Sequence, residues 1–91
     1  MAALADGLVI YGSFWCGYCA RTRQLLDDKA LAYTWIDVDQ DPARRLEMTE
    51  RSGRRTVPQI FLGPRHLGGC EELMALEQSG ELDRLLGARG D

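Results

Sequence analysis

The feature that most constrains the fold of this chain is a pair of cysteines, Cys16 and Cys19, with two residues between them. Residues 8–11 before the pair form a short apolar run, which is typical of a buried strand. Residues 20–26 after the pair favour a helix. We therefore predict that the pair lies where a strand turns into a helix, with Cys16 just before the helix and Cys19 in its first turn.

This position predicts a nucleophilic sulfur at Cys16. The unpaired backbone N–H groups at a helix N-terminus, together with the helix dipole, place roughly half a positive charge there. Such a charge favours the thiolate over the thiol, and the thiolate is the form that attacks. We therefore predict that Cys16 is the attacking cysteine of the pair.

Other uses of a cysteine pair fit this sequence less well. A structural zinc site usually needs four ligands, and the remaining cysteine and histidine, Cys70 and His66, come in an order that matches no common zinc finger. A c-type haem needs histidine directly after the second cysteine, where this chain has Ala20. A structural disulfide stays open, although so short a loop gains little stability from chain entropy. Thiol-based redox chemistry is the leading interpretation.

The composition fits one small domain, residues 1–91, with residues 1–6 and 87–91 as expected flexible tails. Hydrophobic residues make up 45% of the chain, which is enough for one modest core. The net charge of −3 argues against nucleic-acid binding, and no apolar run of about 18 residues suggests a membrane span. The first residues do not resemble an export signal, so we expect a cytoplasmic protein with reduced cysteines.

Turn residues and apolar patterning divide the rest of the chain into alternating elements. The predicted strands are residues 8–11, 32–39, 56–62 and 65–68, and the predicted helices are residues 17–29, 42–50, 70–77 and 81–86. A right-handed crossover makes the first two strands parallel, and the Gly63-Pro64 turn makes the last two antiparallel. We therefore predict an α/β fold, with one four-stranded mixed sheet and helices on both faces.

Three blocks of this sequence resemble the glutaredoxins, a family with the thioredoxin fold. They are Cys-Gly-Tyr-Cys at 16–19, Thr-Val-Pro-Gln-Ile-Phe at 56–61, and Gly-Gly-Cys-Glu-Glu-Leu at 68–73. The resemblance covers residues 8–86 and is closest to the small bacterial dithiol glutaredoxins. It implies a glutathione-dependent thiol–disulfide oxidoreductase that serves electron transport and cell redox homeostasis. Its implied partners are glutathione, disulfide-containing proteins and glutathionylated proteins.

The resemblance also implies roles for individual residues. Cys16 is the nucleophile that takes glutathione from a mixed disulfide, and Cys19 resolves disulfides of protein substrates. Pro58 is the cis-proline that faces Cys16, so that glutathione can pair with Val57 like an added strand. The implied glutathione-binding residues are Tyr18, Arg54, Thr56, Val57, Pro58, Gly69, Cys70, Glu71 and Glu72.

The two ends of glutathione are expected at different places. The γ-glutamyl carboxylate suits the helix N-terminus at residues 69–71, and its ammonium needs Glu71 or Glu72, where relatives often have aspartates. The glycyl carboxylate is expected at Arg54 or Arg55, and less so at Gln59. A role for the two arginines in a solvated loop stays open.

Three residues near the pair depart from the usual glutaredoxin pattern. Ser13 stands where many relatives have lysine, and we expect this loss of charge to weaken glutathione binding and to stabilise the thiolate less. Gly17 stands where many relatives have proline, which loosens the turn. Trp15 is bulkier than the usual neighbour, and we expect it to act as a shield or as a platform for substrates.

One alternative function and two isolated residues stay open. The alternative is a dimer that binds a [2Fe–2S] cluster through Cys16 of each subunit and two glutathiones, and that stores or transfers the cluster. Without a cluster we expect a monomer and no metal. Cys70 is either a small buried residue, the favoured interpretation, or a regulatory thiol. For His66 we expect a structural or surface role.

Overall fold

The structure, a computed structural model, describes residues 7–86. Its strands are β1 Leu8–Gly12, β2 Tyr33–Asp37, β3 Gln59–Leu62 and β4 Arg65–Gly68. Its helices are α1 Gly17–Asp28, α2 Pro42–Ser52, α3 Cys70–Ser79 and α4 Glu81–Leu85. The flexible tails expected at residues 1–6 and 87–91 lie outside the described residues. Between residues 7 and 86, no helix is long and apolar enough to cross a membrane.

The strands form one mixed sheet in the order β2-β1-β3-β4. β1 pairs parallel to β2, as the right-handed crossover through α1 requires, and antiparallel to β3. β3 and β4 form the predicted antiparallel hairpin. The prediction of a four-stranded mixed sheet is therefore confirmed.

Buried side chains cover both faces of the sheet because neighbouring residues of a strand point to opposite sides. On β1, Leu8 and Ile10 face one side, and Tyr11 faces the other. The larger core cluster, which includes residues from α1, α3 and α4, contains Leu8, Ile10, Leu26, Ile60, Leu67, Leu73 and Leu82. The smaller cluster, which includes a residue from α2, contains Tyr11, Val38, Met48 and Phe61. Helices therefore lie on both faces, as predicted.

The sequence at both ends of α2 explains where this helix begins and ends. The Asp41 carboxylate accepts a hydrogen bond from the Ala43 N–H at 3.1 Å, and Pro42 is the first helical residue. Gly53 ends the helix with a φ of 75°, in the left-handed region that glycine adopts without a steric cost. Met48 is the buried residue of α2, so this helix contributes only a thin apolar face to the core.

Most element bounds differ from the predicted ones by one or two residues, and two further differences have a physical reason. β3 begins at Gln59 and not at residue 56, because Pro58 has no N–H for the ladder and the pairing with β1 starts between Tyr11 and Gln59. On α1, the buried residues are Cys19, Thr22 and Leu26, at helical spacing. The apolar pattern of the helix predicts Ala20 and Leu26 on its inner face, but Ala20 is exposed.

Candidate active site

The cysteine pair lies at the junction of β1 and α1, as predicted. Cys16 is the N-cap residue of α1, with an extended backbone (φ −103°, ψ 125°), and Cys19 lies in the first helical turn. Both cysteines are free thiols. The local sequence produces this geometry because the strand ends at Gly12 and helix-favouring residues begin directly after Cys16.

Cys16 lies at the protein surface, opposite the loop that precedes β3. Its side chain is half-buried, and its Sγ lies 3.7 Å from the carbonyl oxygen of Val57, within hydrogen-bond reach of a thiol. The Val57–Pro58 peptide bond is cis, as the resemblance implied. An incoming sulfur would therefore reach Cys16 from the solvent side, next to the backbone of Val57.

Cys19 lies in the interior, and its side chain has no exposed surface. Its Sγ accepts a hydrogen bond from the backbone N–H of Ser13 at 3.4 Å. Burial, together with the neighbouring Cys16, raises the pKa of Cys19 to about 12, while the Ser13 N–H acts in the opposite direction. At neutral pH, Cys19 is therefore a protonated thiol.

Ser13 is buried beneath the loop that carries Cys16. Its hydroxyl donates a hydrogen bond to the carboxylate of Asp39 and accepts one from the Trp15 N–H at 3.1 Å. Its carbonyl oxygen accepts a hydrogen bond from the Cys16 N–H at 3.3 Å. Asp39 also pairs with Arg45 at 3.1 Å. Ser13 therefore connects the active-site loop to the segment after β2.

The partnership of Ser13 with Asp39 was not predicted from the sequence. A signal for it exists, because Ser13 follows β1 and Asp39 follows β2, and these strands are parallel. The carboxyl ends of parallel neighbours lie at the same edge of a sheet, so that polar residues just beyond them come together.

Three aromatic side chains surround Cys16 at the surface. Phe14 is 56% exposed, Trp15 91% and Tyr18 54%. Phe14 is held from one side, because its ring centroid lies 5.1 Å from that of Trp35 and the Arg23 guanidinium lies 4.9 Å from each of these rings. Trp35 itself packs against the larger core cluster.

The loop before β3 lies against the N-terminus of α3. A Cβ placed on Gly69 would be 3.2 Å from the carbonyl oxygen of Pro58 and 3.9 Å from Nη1 of Arg54. A Cβ at this distance would be tighter than an ordinary van der Waals contact, so a side chain at position 69 would require the loop to shift by a few tenths of an ångström. This close approach brings together the predicted glutathione-binding residues from the second and third sequence blocks.

Glu72 connects these two segments. Its carboxylate accepts a hydrogen bond from the Gly69 N–H at 2.7 Å and pairs with Arg54 at 3.3 Å. The Gly69 N–H and then Arg54 lower the pKa of Glu72 against the opposing effect of burial. Of the two candidate arginines, Arg54 is therefore the one joined to α3. Glu71 and Arg55 are exposed.

Gln59 is directed inward, where it supports the loop. Its Nε2 donates hydrogen bonds to the carbonyl oxygen of Thr56 at 3.0 Å and to the Thr56 hydroxyl at 3.3 Å. Its Oε1 lies 2.7 Å from Nε2 of His66, whose ring packs on Phe61 with 4.8 Å between centroids. Burial lowers the pKa of His66. Gln59 is thus not placed to bind a glycyl carboxylate, and His66 has the structural role that we expected.

The remaining predicted residues occupy the same region. Thr56 is exposed at the surface of the loop before β3, and Cys70 is the first residue of α3. Cys70 is 5% exposed, which agrees with the favoured interpretation of a small buried residue.

Comparisons with known proteins define the class. The buckwheat glutaredoxin–glutathione complex superposes with a TM-score of 0.84 at 34% identity, over 96% of this chain and 84% of that one. The chain therefore has a thioredoxin-like fold with a mixed sheet and a free cysteine pair at the end of β1.

The family follows from the sequence comparisons. A family model for glutaredoxins matches residues 8–67. A glutaredoxin of Pseudomonas aeruginosa is 47% identical over 81 residues, which are 89% of this chain and 96% of the relative. Glutaredoxin 3 of Escherichia coli strain K12 is 47% identical over 77 residues, which are 85% of this chain and 93% of the relative. The chain belongs to the glutaredoxin family, whose members are generally thiol oxidoreductases.

Proposed function

We propose that this glutaredoxin is a glutathione-dependent thiol–disulfide oxidoreductase that acts as a monomer in the cytoplasm. Its substrates are glutathionylated proteins and proteins with reducible disulfides. The observation that carries the proposal is the pairing of a surface cysteine, Cys16, with a fully buried one, Cys19, at one helix N-terminus. This arrangement provides one sulfur for attack and a second sulfur for resolution.

The reaction with a glutathione mixed disulfide uses Cys16 alone. The Cys16 thiolate attacks the glutathione sulfur, the substrate sulfur leaves with the bonding electron pair, and it takes a proton from water. A second glutathione thiolate then attacks the glutathione sulfur bound to Cys16, which releases oxidised glutathione and restores the Cys16 thiolate. The positive N-terminal end of α1 stabilises Cys16 as a leaving group in this second step.

Reduction of a protein disulfide also uses Cys19. Cys16 first forms a mixed disulfide with the substrate protein. Cys19 then loses its proton, attacks the Cys16 sulfur and releases the second substrate thiol, which leaves a Cys16–Cys19 disulfide. Two glutathione molecules reduce this disulfide and leave as oxidised glutathione.

Glutathione binds between the loop before β3 and the N-terminus of α3 in this proposal. The peptide pairs with the backbone of Val57 next to Cys16, beside Tyr18 and Thr56. The γ-glutamyl end binds at residues 69–72, where the N–H groups of α3 suit a carboxylate and the acidic side chains suit an ammonium. The existence of a glutathione complex for a buckwheat relative of the same fold supports glutathione as the ligand.

A carboxylate of glutathione pairs with Arg54 and not with Arg55 in this proposal, because Glu72 holds Arg54 beside this binding region. Replacing Arg54 by alanine should raise the KM for a glutathione mixed disulfide on the order of ten-fold, since a charge-assisted hydrogen bond is lost. Arg55→Ala is the matched control and should change this KM less than about two-fold. Equal effects of the two changes would contradict the assignment to Arg54.

The experiment that tests the proposed function compares two cysteine variants in two assays. Cys16→Ser should abolish the reduction of both glutathione mixed disulfides and protein disulfides. Cys19→Ser should keep the first activity and lose the second, because a single thiolate is enough to exchange glutathione. Full activity of Cys16→Ser in either assay would exclude the proposed mechanism.

A second candidate function is a glutathione-ligated dimer that binds a [2Fe–2S] cluster for storage or transfer. The favouring observation is that Cys16 is half-exposed beside Gly17, where an added Cβ would meet no atom within 4 Å. Among residues 7–86, no group of three or more histidine, cysteine or acidic side chains could hold a metal ion. In this candidate, each chain therefore supplies a single thiolate ligand, Cys16, to the cluster. Visible absorption after anaerobic incubation with iron, sulfide and glutathione tests this candidate, and the bands should vanish in Cys16→Ser.

A further inference from the structure

We propose that Ser13 is a positioning residue for Cys19 and that its hydroxyl, held by Asp39, sets the rate at which Cys19 resolves a mixed disulfide on Cys16. The proposal rests on the proposed function in its use of Cys16 and Cys19 as attacking and resolving sulfurs. It adds two residues, Ser13 and Asp39, to the machinery of the second sulfur.

The hydrogen-bonding groups of Ser13 all have partners within the site. The N–H donates to Sγ of Cys19 at 3.4 Å, and the carbonyl oxygen accepts from the Cys16 N–H at 3.3 Å. The hydroxyl donates to Asp39 and accepts from the Trp15 N–H at 3.1 Å. Ser13 is 6% exposed, so water does not readily replace these partners. The hydroxyl thus holds the peptide whose N–H meets the Cys19 sulfur.

Asp39 is itself held in place, so that it can act as a fixed acceptor. Its carboxylate pairs with Arg45 at 3.1 Å. The segment that carries it is joined to the end of β1, because the Val38 N–H donates to the Gly12 carbonyl oxygen at 3.0 Å. The Ser13 hydroxyl therefore bonds to a group anchored by α2 and by the sheet.

The chemical need for this arrangement arises in the resolving step. Cys19 must lose a proton and carry a negative charge in a place where its side chain has no exposed surface. A buried thiolate needs hydrogen-bond donors in place of water, and an N–H bond to a charged acceptor is stronger than one to a neutral acceptor. The Ser13 N–H is already directed at this sulfur, so it can stabilise the thiolate as it forms.

Loss of the Ser13 hydroxyl should therefore affect Cys19 more than Cys16. Without the bond to Asp39, the peptide of residue 13 is less well held, and the N–H bond to the thiolate weakens. Cys16 is half-exposed and water can solvate it, so its attack on an external disulfide should change little.

A single-turnover reaction with an aromatic disulfide, dithiobis(nitrobenzoic acid), measures the two sulfurs separately and needs no glutathione. The Cys16 thiolate attacks the reagent, releases one thionitrobenzoate and keeps the other as a mixed disulfide. The Cys19 thiolate then attacks the Cys16 sulfur, forms the Cys16–Cys19 disulfide and releases the second thionitrobenzoate. The first phase of colour reports Cys16, and the second phase reports Cys19. Cys19→Ser identifies the second phase, because this variant should lack it.

Ser13→Ala and Asp39→Ala should each slow the second phase about ten-fold, as expected for one weakened buried hydrogen bond to a charged group, and should change the first phase less than about two-fold. Ser13→Thr keeps the hydroxyl and should restore the second phase. Ser79→Ala is the matched control, because that hydroxyl bonds to the Leu76 carbonyl oxygen at the far end of α3 and should affect neither phase.

Two results would overturn the proposal. One is an unchanged second phase in Ser13→Ala, and the other is equal slowing of both phases without rescue by Ser13→Thr. If the phases behave as expected but wild-type protein reduces no glutathione mixed disulfide in steady state, the proposed function fails while the role of Ser13 stands. The two failures are therefore distinguishable.

Discussion

The two cysteines of the site are three residues apart, but they belong to different parts of the molecule. Cys16 lies at the surface among exposed aromatic rings, whereas Cys19 lies on the buried face of α1 together with Leu26. A fully buried thiol cannot meet a protein substrate, which is why the proposed mechanism gives the first attack to Cys16. The difference shows how one helical turn can separate an accessible sulfur from a buried one.

The largest change in stability is expected when a substitution in the interior is compared with one at the surface. Leu26→Ala should lower the free energy of unfolding by about 2–5 kcal/mol, because Leu26 is fully buried in the larger core cluster. Trp15→Ala should change it by no more than about 0.5 kcal/mol, because Trp15 is 91% exposed. Urea denaturation of both variants measures the contrast. A destabilisation by Trp15→Ala as large as that by Leu26→Ala would contradict the separation of the two regions.

A smaller change in stability is expected when the two glycines on either side of the active-site loop are replaced by alanine. Gly12→Ala should destabilise the protein by about 1–3 kcal/mol, because the new Cβ would lie 2.5 Å from the ring of Trp35. Gly17→Ala is the matched control, since its Cβ would meet no atom within 4 Å, and it should be neutral or stabilising by up to about 1 kcal/mol. Thermal or urea unfolding tests this pair, and a stable Gly12→Ala would show that Trp35 moves freely aside.

A further difference is expected in the pH dependence of stability. Burial raises the pKa of Cys19 to about 12 from an ordinary value of 9.0. Between these values the unfolded chain releases this proton and the folded chain keeps it, so the contribution of Cys19 to stability is complete below pH 9.0 and is lost as the pH rises toward about 12. Cys19→Ala should remove a slope of up to about 1.4 kcal/mol per pH unit.

This difference is measured from urea unfolding curves of wild type and Cys19→Ala at matched pH values. Subtracting the two series removes the contributions of lysines and tyrosines that titrate in the same range. Parallel curves for the two proteins would mean that Cys19 ionises as readily in the folded chain as in the unfolded one.

Local signals allowed much of the fold and the position of the site to be predicted from the sequence. The start of α1 after Cys16 follows from a strand run, a turn and a helix run in immediate succession. The start of α2 follows from the Asp41 cap and the proline after it. The cis bond before Pro58 was predicted from the glutaredoxin resemblance and not from the proline itself, which would ordinarily be trans.

The contacts that tune the site could not be predicted in the same way, because they join distant parts of the chain. Ser13 and Asp39 are 26 residues apart, and Arg54 and Glu72 are 18 apart. Each pair forms only because the fold places two particular segments side by side. Several polar residues in each segment could have been one of the two partners. Gln59 was the less favoured candidate for the glycyl carboxylate, and the β1–β3 pairing places it inside, where it holds Thr56 and His66.

The measurement that tests the central claim most directly is the rate of alkylation of each cysteine in the reduced, folded protein. Iodoacetamide at neutral pH, followed by mass spectrometry of peptides, resolves Cys16, Cys19 and Cys70, with Cys70 as an internal control for a buried thiol. We predict that Cys16 reacts more than about ten times faster than the other two, and that these react only after denaturation. Alkylation of folded Cys19 as fast as Cys16 would contradict the account.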